Sequence, residues 1–90
     1  MRKPELAAAI AEQADLSKEK AAEVITAFTD QVAKALSAGD SVTLIGFGTF
    51  EVRNRAERQG KNPQTGAPIT IAAAKVPAFK PGKALKESVQ

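Results

Sequence analysis

Four cations crowd nine positions in the middle of this 90-residue chain: Arg53, Arg55, Arg58 and Lys61, with Glu57 the single acid among them. Guanidinium and ammonium groups at this spacing suit a line of phosphates, whose charge they neutralise and whose counterions they release. Asn62-Pro63-Gln64-Thr65-Gly66 follows directly and supplies a turn with a small rigid ring. Nucleophilic and metal chemistry have little to work with. The chain has no His, Cys, Tyr or Trp, which removes the usual nucleophile–base pairs, thiolate metal sites and disulfides. No two carboxylates stand in a relation suited to general acid–base work. We expect no enzyme, no metal and no cofactor.

The stretch from Arg53 to Pro68 has only two alanines and two prolines as apolar side chains. A segment with so little to bury does not hold itself folded in water. Yet it lies between apolar segments, where connections in a compact domain are short. It is either a disordered loop or a working arm, and composition leaves both open. Ninety residues make one domain, residues 1–90, and a chain of this size buries only about 60–65% of its unfolded surface. An arm outside the core makes it more marginal still, and oligomerisation is a usual remedy.

Charge separates the two halves. Residues 1–50 carry five cations and seven anions, net −2, whereas residues 51–90 carry eight cations and three anions, net +5. A basic half on a near-neutral body points to a polyanion, nucleic acid or an anionic membrane. The opening Met-Arg-Lys-Pro-Glu-Leu is not followed by the apolar run of a signal peptide, and no stretch approaches a membrane span. The expectation is a soluble, intracellular protein.

The elements that must position the cations read as α+β. Pro4 suits the first turn of a helix, with Leu6, Ala9, Ile10 and Ala14 on one face. Its cap is poor, since Arg2 or Lys3 stands where Ser, Asp or Asn is preferred. Ser17 caps a second helix whose apolar stripe is Ala21, Ile25, Phe28, Val32 and Ala35, widened by Val24 and Leu36 and ended at Gly39. The pair invites a helix-turn-helix reading, but Glu19, Glu23 and Asp30 leave the outward face unsuited to phosphates and base edges. A helical hairpin offering an apolar face to a partner fits better.

From Ser41 the period becomes two: Val42 and Leu44, a tight turn at Gly46-Phe47-Gly48, then Phe50 and Val52. Glu51, Arg53 and Arg55 share the face opposite Phe50 and Val52, and this alternation runs on after the apolar face stops, so the strand continues into solvent. Pro63-Gln64-Thr65-Gly66 fits a type I turn followed by a left-handed glycine, and Ile69, Ile71 and Ala73 line one face of the returning leg. Legs of this length reach roughly 25–30 Å. Val76-Pro77-Ala78-Phe79 reads as a short closing strand, with Pro77 marking an edge or bulge. Lys83 to Val89 make about two turns of helix. A cation at that helix start opposes the dipole unless an anion binds there, and we read Lys83 as a phosphate contact.

In this order and at these spacings, Gly46-Phe47-Gly48-Thr49-Phe50, Arg55 and Arg58, Gly60-Lys61-Asn62-Pro63-Gln64-Thr65-Gly66, Val76-Pro77-Ala78-Phe79 and Gly82-Lys83-Ala84-Leu85-Lys86 form a specific signature. The chain resembles the HU and integration host factor group of bacterial histone-like DNA-binding proteins along its whole length. The resemblance implies an intertwined dimer built on helical hairpins (residues 1–40), with a three-stranded antiparallel sheet, a long β-ribbon arm at about 53–74 and a short C-terminal helix (41–90). It implies a dimer core of Phe28, Val32, Leu36, Leu44, Phe47, Phe50 and Phe79. It makes Pro63 a wedge entering between base pairs from the minor groove, flanked by Arg53, Arg55, Arg58, Lys61, Asn62, Gln64 and Thr65. Body contacts to phosphate fall to Lys3, Gly46, Gly48, Lys75, Lys80, Lys83 and Lys86.

The sequence departs from the family pattern at Lys61, where Arg is frequent, and at residues 2–4, where a polar cap is common. Poor sequence readout and a preference for nicked, bent or distorted duplex follow from minor-groove binding and from the cost of unstacking. Homodimers, heterodimers with a paralogue, and a cytoplasmic, nucleoid-associated location are the matching expectations. Because the sequence stops at Val89-Gln90, the HU type is favoured over a site-specific integration host factor subunit. A structural oligomer that binds no DNA is the remaining alternative.

Overall fold

The computed structural model of the chain describes all 90 residues. Two helices open it, α1 (Lys3–Ala14) and α2 (Lys18–Ser37), followed by strands β1 (Val42–Leu44), β2 (Gly48–Arg55), β3 (Arg58–Lys61), β4 (Pro68–Ile71) and β5 (Ala74–Pro81), and a last helix α3 (Lys83–Ser88). No helix is long and apolar enough to cross a membrane.

The start of α1 is better capped than its sequence suggests, because the Arg2 backbone N–H donates to the Glu5 carboxylate at 2.7 Å. That is half of a capping box, with Glu5 at the position that reaches back. Asp15 ends the helix in the left-handed region at φ 56°. In α2 the Ser17 hydroxyl accepts the Lys20 N–H at 3.1 Å, and Gly39 closes the other end at φ 82°, both as expected. The hairpin closes over Ala7 and Ala21, the two side chains fully removed from solvent. The sheltered edge of α1 is therefore Ala7 with Ile10 and Ala11, while Leu6, Ala9 and Ala14 stay exposed. Methyl-sized side chains thus fill the centre of the contact between the two helices, with Ile10 half-sheltered beside them.

Strands β1, β2 and β5 form one antiparallel sheet in that order. Register sets Phe50 opposite Val42 and Phe79, and Val52 opposite Pro77. Strand β5 is longer than the four residues expected, because backbone pairing with β2 continues past the apolar positions to Ala74 and Pro81. Pro77 does lie on an edge strand, where a missing N–H is tolerated. All four phenylalanines join in a chain: Phe28 meets Phe50 edge-on at 6.0 Å, Phe50 meets Phe79 at 4.9 Å, and Phe79 meets Phe47 at 5.4 Å.

This cluster is not enclosed. Phe28 remains 41% exposed, Phe47 45% and Phe79 37%, and no large side chain is fully buried. A groove of about 730 Å³ opens beside it, lined by Phe28, Val32, Leu36, Phe50, Val52 and Pro77 among others. The protomer exposes 7266 Å², against roughly 5,000 Å² for a folded monomer of this mass. Part of the excess is this uncovered apolar face, and part is the projecting arm. The radius of gyration is 18.6 Å and the longest extent 58 Å, where a compact chain of this length has a radius near 12 Å.

The arm is a ribbon in two pieces. Beyond Arg55 and before Ala74, β2 and β5 stop pairing, and a second two-stranded ladder, β3–β4, takes over at Arg58↔Ile71. The expected uninterrupted legs are thus broken at Ala56-Glu57 and Ala72-Ala73, none of which makes a backbone–backbone hydrogen bond. Register does not slip across the break. Arg55 faces Ala74 before it and Arg58 faces Ile71 after it, with two residues skipped on each side.

Candidate nucleic-acid interface

At the tip, Asn62 organises the loop. Its backbone carbonyl accepts the Gly66 N–H at 2.7 Å, and its side-chain oxygen accepts the Gln64 N–H at 2.9 Å and the Thr65 N–H at 3.4 Å. The Thr65 hydroxyl accepts the Ala67 N–H at 3.2 Å, and Asn62 N–H donates to the Ala67 carbonyl at 2.8 Å. Gly66 takes φ 72°, where a side chain would be strained. The turn thus starts at Asn62, one residue earlier than the four read from the sequence. That sets Pro63 at the second position of a turn, where its fixed φ is favourable. Almost every tip hydrogen bond is local, so the ring of Pro63 is presented by a loop that needs no support from the body.

Strand register distributes the cations. Arg53 and Arg55 face Val76 and Ala74 on one side of the sheet, which also carries Lys80 opposite Thr49. In the distal ribbon, Lys61 sits opposite Pro68 and Arg58 opposite Ile71, so these two cations lie on opposite faces. The Arg58 face also carries Ile69 and Ile71, which cover Gly60; a Cβ there would stand 3.2 Å from the Ile71 Cδ1. Positive charge on both faces of a thin ribbon suits a groove walled by phosphates on either side.

A second group forms around the β1–β2 turn. Phe47 N–H donates to Leu44 carbonyl at 2.9 Å with Gly46 at φ 86°, and Gly82 N–H donates to Phe47 carbonyl at 2.8 Å. This last bond ties the turn to the start of α3, so Gly46, Gly48 and Lys80 line a shallow depression of about 240 Å³, and Lys83 follows Gly82 at its edge. Gly48 cannot carry a side chain, since a Cβ would lie 2.5 Å from the Phe79 ring and 2.6 Å from the Lys80 carbonyl. Thr43 and Thr49, not singled out from the sequence, add hydroxyls 3.3 Å apart. Ile45 at the turn is 99% exposed.

Three of the expected contacts stand apart. Lys75 is paired with Asn54 and lines the apolar groove, on the face opposite Lys80 and Arg53. Lys3 is held on the helical hairpin, its ammonium donating to the Thr26 hydroxyl at 2.6 Å. Lys86 lies in the last turn of α3. Lys83 is exposed beside Glu87 at 3.9 Å. Of the expected dimer core, Phe28, Val32, Leu36 and Phe50 line the groove, Phe47 and Phe79 complete the aromatic chain, and register sets Leu44 on the same sheet face.

A basic two-faced ribbon with a proline tip, rising from an open apolar base, defines a class: small arm-bearing proteins that bind nucleic acid by its backbone and groove. The family description "bacterial DNA-binding protein" matches residues 1–90, and the chain belongs to that family. It is 62% identical over 89 residues to the DNA-binding protein HU-alpha of Pseudomonas aeruginosa, covering 99% of each chain. It is 57% identical over 90 residues to the DNA-binding protein HU of Geobacillus stearothermophilus, covering 100% of each. Among solved structures it is similar to HU in the Anabaena HU–DNA cocrystal, with TM-score 0.92, 47% identity and coverage of 99% and 97%. HU from Thermotoga maritima superposes with TM-score 0.72 at 32% identity over the whole of both chains.

Proposed function

We propose that this chain is a histone-like, dimeric protein that binds double-stranded DNA with little sequence preference and bends it. The observation that carries this reading is the arm: cations on both faces of a solvent-projecting ribbon, tipped by a proline in a self-supporting turn. Membership of a DNA-binding family and the likeness to an HU–DNA cocrystal support it. The open Phe28–Phe50–Phe79 face supports a second copy of the chain as its cover, with residues 1–40 as the dimerising part and 41–90 as the DNA-binding part.

Arg53, Arg55, Arg58 and Lys61 draw the arm along the duplex by counterion release, with Asn62, Gln64 and Thr65 holding the tip. Pro63, having no N–H and a compact apolar ring, enters between base pairs from the minor groove. Unstacking costs a few kcal/mol, which the bent duplex offsets by meeting more of the basic body: Gly46, Gly48, Lys80 and Lys83, with Lys3, Lys75 and Lys86 at the margins. The role is architectural rather than enzymatic, and its place is the cytoplasm, on the nucleoid.

Titration of a nicked and an intact duplex at two salt concentrations tests this. Nicked DNA should bind tighter, and log Kd should rise with log salt by about 0.9 per phosphate neutralised. Equal affinity for both duplexes removes the bending. A preference for one sequence beyond roughly 100-fold over random DNA makes the protein a site-specific binder instead.

A further inference from the structure

Glu51 is the one acid on the basic face of the sheet. Register aligns it with Thr49 and Arg53 along β2, opposite Ala78, with Lys80 diagonal to it. A carboxylate there should repel a phosphate backbone and weaken binding. Its geometry indicates the reverse. The Glu51 Oε2 accepts from Arg53 Nε at 3.2 Å, and no other hydrogen bond or ion pair engages the Arg53 guanidinium. The carboxylate is the more sheltered partner, its side chain 32% exposed against 55% for Arg53. The guanidinium is thus held from beneath by its inner nitrogen, and the terminal pair of amino groups is left free. That free edge is the fork that engages a phosphate with two parallel hydrogen bonds.

We propose that Glu51 is a positioning residue for DNA binding: it fixes the Arg53 guanidinium through Nε so that the Nη edge faces a backbone phosphate. A long flexible side chain loses rotamer freedom when it binds, and one already held has less to lose. Glu51 thereby turns Arg53 from a diffuse charge into an oriented donor. The inference rests on the DNA-binding reading and deepens it at one residue.

The test is a double-mutant cycle on the full chain, with Glu51→Ala, Glu51→Gln, Arg53→Ala and the Glu51→Ala/Arg53→Ala pair. Fluorescence anisotropy follows binding of a nicked duplex between about 50 and 200 mM salt. Glu51→Ala should weaken binding about two- to fivefold although it removes a negative charge, the range of an exposed oriented ion pair. Arg53→Ala should lower the magnitude of the salt slope by about one, whereas Glu51→Ala, which keeps the Arg53 charge, should change it less. Glu51→Gln, which keeps an oxygen for Nε, should bind at least as tightly as the native chain. In the Arg53→Ala background, Glu51→Ala should tighten binding, because only the repulsion is left to remove.

The sign decides. Tighter binding by Glu51→Ala alone makes Glu51 a plain repulsive charge and overturns the inference. Weaker binding by the double variant than by Arg53→Ala, or a lowered unfolding midpoint of Glu51→Ala, shows that Glu51 acts through the sheet and overturns it as well. An Arg53→Ala chain with native affinity and slope takes Arg53 off the DNA, which is a failure of the underlying contact and distinguishable from the others.

Discussion

The two ladders of the long ribbon share one register and one hydrogen-bonding pattern, yet they are held by different things. The proximal ladder, β2 with β5, sits on α2 through Phe28, Phe50 and Phe79, and its apolar face is open to a second copy. The distal ladder, β3 with β4, has Ile69 and Ile71 over Gly60 and a tip tied by Asn62. Stability in the first comes from burial and needs a partner. In the second it comes from local backbone bonds, and burial adds little. One ribbon therefore serves two tasks, and substitutions should sort according to which half they strike.

The largest effect should come from Phe50→Ala, at the centre of the aromatic chain. It should cost about 3–4 kcal/mol in urea unfolding, whereas Ile71→Ala in the distal ladder should cost less than about 1 kcal/mol. Similar costs at the two sites break the contrast. Next, Pro63→Ala should leave the unfolding free energy within about 0.5 kcal/mol and reduce the DNA bend measured by energy transfer; an unchanged bend removes the wedge. Arg58→Ala should lower affinity and reduce the magnitude of the log–log salt slope by about one. An unaltered slope takes Arg58 off the DNA. The smallest effect belongs to Asp15, an acid at a helix C-terminus in left-handed conformation. Asp15→Gly should raise the unfolding free energy by a few tenths of a kcal/mol, checked by thermal denaturation, with DNA affinity unchanged.

Much of this contrast was legible in the residues. The stripe from Ala21 to Ala35, the turn at Gly46-Phe47-Gly48 and the left-handed Gly66 each follow from local chemistry, and all three are present in the structure. Faces were harder. The sequence of a single strand shows that Glu51, Arg53 and Arg55 alternate with Phe50 and Val52, but it does not reveal what lies opposite. Pairing with Asn54 sends Lys75 to the groove side, and pairing is a long-range property. The Glu5 cap on Arg2 is legible only in the acid three residues later, not in the side chain at the cap position itself. The break at Ala56-Glu57 and Ala72-Ala73 leaves no mark in the pattern, since alternation of side chains continues whether or not the backbones pair.

That break has a mechanical consequence. A continuous antiparallel ladder resists out-of-plane flexing because each rung must stretch its hydrogen bonds. At the four unpaired residues there are no rungs to stretch, and three of the four are alanines. Unbroken register means that the distal hairpin can tilt about this joint and return without re-pairing. A force on the tip would therefore meet this joint before it reached Phe50 and Phe79.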